Sequence, residues 1–190
     1  REISYVEWVH AQYAAEQGKM EEALASLDHL ESDEERARTL GYIIETALKA
    51  GNKKIVLQVL EKALGAMPPQ IETSNQFEAM SRIIRGLAET DAERAFALYE
   101  SLIDPINQTA SAYIRMCRFD GQRYGPAAKD EMLMQKGLAA TQAILAVVEE
   151  TKSLARSDFD RGLDLARRFR QTELRVYAEL NAIQAVSSKR

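Results

Sequence analysis

Gln17-Gly18-Lys19-Met20-Glu21-Glu22-Ala23-Leu24 reads as the end of one helix, a tight turn and the start of the next. Glycine closes a helix in the left-handed conformation at little steric cost, and acids just inside the following turn complement the positive end of a helix dipole. Ala23, Leu27 and Leu30 follow Gly18 at five, nine and twelve residues, offsets that fall on one helical face. Thirty-three residues on, Gly51 is followed at the same offsets by Val56, Leu60 and Ala63. Thr90 lacks the glycine but keeps Ala95, Tyr99 and Leu102, and Ser157 is followed by Gly162, Ala166 and Phe169. The first residue of each set is small or slim. Such a residue lets two helices approach closely, and bulkier side chains fill the groove beyond.

Around these turns, apolar residues recur at steps of three and four, as in Val6, Val9, Tyr13 and again in Leu40, Ile43, Ile44, Ala47, Leu48, and no segment alternates as a strand would. Stops or caps at Gly18-Lys19, Ser32-Asp33, Gly51-Asn52, Met67-Pro68-Pro69, Thr90-Asp91, Asp104-Pro105, Asp120 to Pro126 and Ser157-Asp158 cut the chain into helices. The expected lengths are roughly 12–20 residues. Ser32 or Asp33 and Asp91 are placed to cap helix starts, and Pro105 and Pro126 suit first-turn positions. The composition agrees with an all-α chain: 46% hydrophobic, 28% charged, and only 9 Gly and 4 Pro in 190 residues. No apolar run approaches the roughly 20 residues that span a bilayer. The single cysteine, Cys117, excludes an internal disulfide and a cysteine-based zinc cluster.

The pattern resembles the tetratricopeptide family, whose helix-turn-helix unit of roughly 34 residues has a turn glycine, a small residue five later, a bulky one nine later and a closing proline. Gln17 to Leu24 carries the likeness most fully, and Pro68 stands at the closing place seventeen residues after Gly51, where the first unit has Glu35. The resemblance covers residues 3–105 and, more loosely, 140–190. Trp8 is out of register with the family's first-helix aromatic, the third spacing is nearer 39, and residues 119–137 break the period. It implies antiparallel helical hairpins stacked as a short right-handed α-solenoid, a single domain over 1–190 with an irregular segment at 119–137. An irregular helical bundle is the alternative. The resemblance also implies that first helices line a concave face, at Tyr5, Trp8, Gln12, Arg38, Gly41 and Glu45, with Phe77, Met80 and Ile84 in the third unit. The family's peptide clamp uses Lys and Asn at such places, where this chain has Trp8 and Gly41.

These residues point to a non-catalytic interaction module or scaffold that holds a protein or peptide partner, with Tyr5 and Trp8 as an aromatic anchor or, alternatively, as packing for the first helix. A second candidate surface is the segment Phe-Asp-Gly-Gln-Arg-Tyr-Gly-Pro at 119–126, where Arg118, Arg123 and Tyr124 are suited to an acidic or phosphorylated partner. Chemistry is sparse. His10 and His29 form no helical metal pair, no phosphate-binding glycine loop is present, and Cys117 lies on an apolar stretch between Ile114 and Phe119. No cofactor, metal or enzymatic activity is expected. An enzyme or small-ligand binder with a pocket near 119–137 is the alternative. A third reading is nucleic-acid binding through the arginines at 161, 167, 168, 170 and 175, opposed by the acidic total.

The formal charge is −4, and it is unevenly spread: residues 1–35 carry 10 acids and 2 bases, whereas 151–190 carry 9 bases and 5 acids. That pattern suits solvated helix faces, or ends that attract different partners or each other head to tail. The last helix, around Leu174, Tyr177, Leu180 and Ile183, runs into polar Ser187-Ser188-Lys189-Arg190, which reads as a cap and predicts a monomer or weak dimer. Because the first residue is Arg1, a cytoplasmic fragment and an exported mature chain fit the sequence equally.

Overall fold

Gly18 and Gly51 take φ of 75° and 71° in a computed structural model of the chain, so both turns adopt the left-handed closure that a residue without Cβ accepts. The structure describes the backbone of residues 2–68, 71, 73–123 and 131–187, and the side chains of all of these except 2–4, 116–123 and 131–138. The described residues are all-α, with no strand. Ten α-helices are present among them: α1 Glu2–Glu16, α2 Met20–Ala25, α3 Asp33–Ala50, α4 Lys53–Ala66, α5 Ser74–Thr90, α6 Ala92–Arg123, α7 Glu131–Glu149, α8 Thr151–Ser157, α9 Phe159–Arg167 and α10 Thr172–Ser187. A single 3-10 turn, Ser26–His29, follows α2.

The starts are capped as their sequences suggest. Ser32 Oγ accepts the Glu35 N–H at 3.1 Å, Asp91 Oδ1 accepts that of Arg94 at 3.3 Å, and Asp158 Oδ1 that of Arg161 at 3.1 Å. Each satisfies one of the backbone donors that a helix start leaves unpaired. At α5 the cap is reciprocal: Thr73 Oγ1 accepts from Gln76 N–H at 3.3 Å while Gln76 Oε1 accepts from Thr73 N–H at 3.1 Å.

Contacts gather into two compact units, Arg1–Ala95 and Phe96–Arg190, where the sequence reads one repeat domain. In the first unit α1 packs on α2 and α3, α3 on α4 and α5, and α4 on α5; α2 also meets α3 and α4. Alternate helices are therefore neighbours as well as consecutive ones. Leu40, Ile43, Ile44, Leu60, Ile83, Ile84 and Leu87 fill the core. In the second unit α8 packs on α9 and α10, α9 on α10, and α7 on both α8 and α10. Tyr99 and Phe169 meet edge to face there, with ring centroids 6.3 Å apart. All twelve residues at the five, nine and twelve offsets are buried.

Two expectations need correction, those on Pro105 and on Phe77, Met80 and Ile84, and two others fall partly outside the described residues. Pro105 does not start a helix but lies inside α6, which runs 32 residues. An interior proline costs roughly 3 kcal/mol, whereas burial contributes roughly 1.5–3 kcal/mol for each large apolar side chain. Leu102, Ile103 and Ile106 are all buried around it, so packing outweighs the defect. The stretch 119–137, expected to be irregular, is helical from 119 to Arg123 and again from Glu131; residues 124–130 lie outside the described set, with Pro126 among them. Phe77, Met80 and Ile84 do not line an open face, because all three point into the core side of α5 and are buried. Leu180 and Ile183 are half in solvent, while residues 188–190 of the expected polar cap lie outside the described residues.

Candidate partner-binding face

Tyr5, Trp8 and Gln12 recur at three- and four-residue steps on α1, and the neighbouring α3 carries Arg38, which meets Trp8, and Glu45 two turns further along. Trp8 is half-buried, as is Gln12, while Tyr5 is 65% exposed. The Tyr5 and Trp8 rings lie 5.7 Å apart, tilted by 36°. Over Trp8 sits the exposed guanidinium of Arg38, 5.7 Å from the ring centroid. A cation held over an indole at a partly exposed site is stabilised by about 0.5–1 kcal/mol. The upper face of Trp8 is thus occupied within the chain, leaving Tyr5 and the outward side of Arg38 for a visiting group.

Two turns along α3 the character changes to ionic. Glu45 bonds Lys49 at 3.0 Å and lies 3.7 Å from Arg82 Nε of α5, whose Nη1 is also 3.7 Å from Glu78. The Lys49 ammonium, and beyond it the Arg82 charge, hold the Glu45 carboxyl below the usual glutamate range, so it stays anionic. Arg82 reaches across because Gly41 has no side chain: a Cβ there would stand 2.9 Å from Arg82 Nη1. α1 and α3 are tied by the Tyr42 hydroxyl, which donates to Glu16 at 2.6 Å; that bond raises the Tyr42 phenol above its ordinary value.

The structure therefore brings Tyr5, Trp8 and Arg38 into one aromatic and cationic group, and places Glu45 in a separate ion network with Lys49, Arg82 and Glu78. The side chains of Arg118, Arg123 and Cys117, and Tyr124 altogether, lie outside the described residues. The C-terminal arginines are largely engaged by carboxylates. Arg168 bonds Glu100 and Asp164, Arg170 bonds Asp104 at 3.1 Å, and Arg167 Nε is 3.8 Å from Glu179.

One feature was out of reach of sequence spacing. Val6, Glu7 and His10 of α1, Glu22 and Ala25 of α2, and Ser26 and His29 of the 3-10 turn line an open cleft of about 380 Å³. His10 Nε2 is 3.1 Å from Glu22 Oε1, and Nδ1 is 3.0 Å from Ser26 Oγ. Glu22, Ser26 and His29 follow one another at helical steps, but His10 comes from α1, so only the packing of the two segments assembles the cleft. No cluster of His, Cys, Asp and Glu among the described residues is arranged to hold a metal ion. Among the same residues no helix is long and apolar enough to cross a membrane. No protein family, curated protein or solved structure matches this chain.

Proposed function

We propose that the chain is a tetratricopeptide-like, non-catalytic interaction module that holds a peptide or partner segment along the face formed by α1, α3 and α5. The observation that carries this reading is the juxtaposition of Tyr5, Trp8 and Arg38 with the Glu45 and Arg82 ion network on adjoining helices. Such a face offers an aromatic contact at one end and charges that select register at the other. The stacking of alternate helices in the first unit supports the solenoid arrangement over the bundle. A partner with an acidic residue facing Arg38 and a planar or apolar side chain against Tyr5 fits best.

The test is selection of a displayed random-peptide library on the intact chain, followed by titration of the selected peptides with emission from Trp8, the sole tryptophan, as readout. Tyr5→Ala combined with Arg38→Ala alters two exposed side chains and is expected to weaken binding by about tenfold or more, the range of interface anchors. Unchanged affinity in that variant, or a library that yields no binder, counts against the reading. A second reading, small-ligand binding, has the cleft around His10 and His29 as its observation. A compound that shifts both histidine ring resonances in NMR while leaving Trp8 emission unchanged favours it.

A further inference from the structure

The cleft between α1 and the segment of α2 and the 3-10 turn holds hydrogen-bond acceptors that the chain does not use. Glu7 and His10 stand on its α1 wall, and Glu22, Ser26 and His29 on the other. Two carboxylates line it, and neither a lysine nor an arginine does. His10 is spent, because its ring nitrogens stand 3.0 Å from Ser26 Oγ and 3.1 Å from Glu22 Oε1. The other Glu22 oxygen is 3.4 Å from the ammonium of Lys19, a residue outside the cleft lining. Glu7, which is half-buried, and His29, which is exposed, have no side-chain partner among the described residues.

The balance of donors and acceptors selects the visitor. An ionised carboxylate only accepts, at roughly four lone-pair sites, and a neutral imidazole adds one acceptor nitrogen. His10 and Lys19 draw on the Glu22 carboxylate, whereas that of Glu7 is open. The ligand that matches brings several N–H donors, a positive charge and no acceptor, which describes an ammonium group. A carboxylate or phosphate would set its charge against Glu7 and Glu22. A metal ion is a poor fit, since no His, Cys, Asp and Glu cluster among the described residues is arranged to hold one. Val6 and Ala25 complete the lining with apolar surface suited to a short alkyl stem, and about 380 Å³ is at the small end of ligand sites.

We infer that this cleft binds a small primary alkylammonium group, its nitrogen held by the Glu7 carboxylate and His29 and its stem lying against Val6 and Ala25. The inference rests on the small-ligand reading of the cleft and gives that reading a chemical class. It is separate from the α1, α3 and α5 face: at about 3.6 residues per turn, Val6, Glu7 and His10 project from roughly the opposite side of α1 to Tyr5, Trp8 and Gln12. The same group is carried by a free aliphatic amine and by the side chain of a partner's lysine. A ligand this small in an open cleft binds at about 1–20 mM.

The test is NMR of the intact chain with labelled histidine rings, titrated at about pH 8 and constant ionic strength with three probes of one shape: n-butylammonium, 1-butanol and butyrate. The expected result is a saturable shift of the His29 and His10 resonances by n-butylammonium alone, with Trp8 emission unchanged. Glu7→Gln keeps the size and drops the charge, and is expected to weaken the amine about fivefold or more. Circular dichroism checks the fold of that variant, and the comparison of the three probes on the parent chain stands without it. A shift by 1-butanol or butyrate as large as the amine's overturns the ammonium assignment while the small-ligand reading stands, whereas no shift by any of the three overturns both. Unchanged amine affinity in folded Glu7→Gln also overturns the assignment. So does an amine that alters Trp8 emission, since that puts it on the other side of α1. Nα-acetyl-lysine N-methylamide separates the two sources: binding at least as tight as that of n-butylammonium assigns the site to a lysine side chain, weaker binding assigns it to a free amine, and both uphold the ammonium chemistry.

Discussion

Gly86 in the first unit and Gly162 in the second both mark close approaches between helices, yet they meet different atoms. A Cβ at Gly86 would stand 2.9 and 3.0 Å from the two methyls of Leu60, the movable end of a side chain. At Gly162 it would stand 3.0 Å from both the Cα and the N of Ala155, which are backbone. The contrast extends to polar groups. In the second unit buried polar side chains are bonded to distant elements: the Tyr99 hydroxyl donates to Thr151 Oγ1 at 2.6 Å, and Thr151 in turn donates to the Val148 carbonyl at 2.6 Å. Burial pushes the Tyr99 phenol well above its ordinary range and keeps it a neutral donor. Asn107 spans α6 and the α9–α10 connection, donating to the Arg168 carbonyl at 3.2 Å and accepting the Arg170 N–H at 2.8 Å. In the first unit, Thr39 Oγ1 is fully buried and has no hydrogen-bond partner among the described residues. At their glycine joints one unit meets yielding side-chain ends and the other meets backbone. The bonds between elements described in the first unit, such as Tyr42 to Glu16, involve exposed side chains, whereas those of Tyr99 and Asn107 in the second are buried.

The largest break in that comparison is expected at Asn107. Asn107→Leu keeps the volume, removes both bonds and leaves two backbone groups to find other partners, a loss of about 3 kcal/mol in urea unfolding. A loss below about 0.5 kcal/mol means that water replaces the side chain and the second unit does not rely on it. Next comes the glycine pair. Gly162→Ala is expected to destabilise by about 2 kcal/mol, overpacking against Ala155 exceeding the roughly 1 kcal/mol helix-propensity gain. Gly86→Ala, where Leu60 can turn aside, should fall within about 0.5 kcal/mol of the parent. Equal effects erase the distinction between the two joints. The smallest change runs the other way. Thr39→Val removes a buried hydroxyl without a partner and is expected to stabilise by about 1 kcal/mol, read as a higher urea midpoint. A destabilised variant shows that the hydroxyl is satisfied after all.

Helix type and turn positions were legible because local chemistry decides them. Gly18, Gly51, Ser32, Asp91 and Asp158 act where their backbone preferences and short side chains suggest. The small-then-bulky offsets marked buried positions in both units, since groove filling depends on residue size along one helical face. Pro105 misled because its intrinsic cost is local while the burial of Leu102, Ile103 and Ile106 that overrides it is tertiary. For the same reason Trp8 was identifiable as an aromatic on the first helix, but its cover by Arg38, 30 residues on, was not. The reach of Arg82 over Gly41 and the meeting of His10 with Glu22 and Ser26 likewise belong to helix packing rather than to spacing. Phe77, Met80 and Ile84 went astray because one amphipathic pattern serves a core and an open groove equally well until neighbours are placed.

Pro105 has a dynamic corollary. Without an amide hydrogen it offers nothing to the carbonyl of Ser101, a solvent-exposed residue, so α6 carries a missing rung about one-third of the way along its 32 residues. A helix opens rung by rung, and a gap in the ladder is where opening from either end meets no further amide to release. Fraying that starts at the Arg123 end therefore has a natural halt before the turns around Tyr99, and amide exchange along α6 should step up in protection on crossing the proline toward the N-terminus.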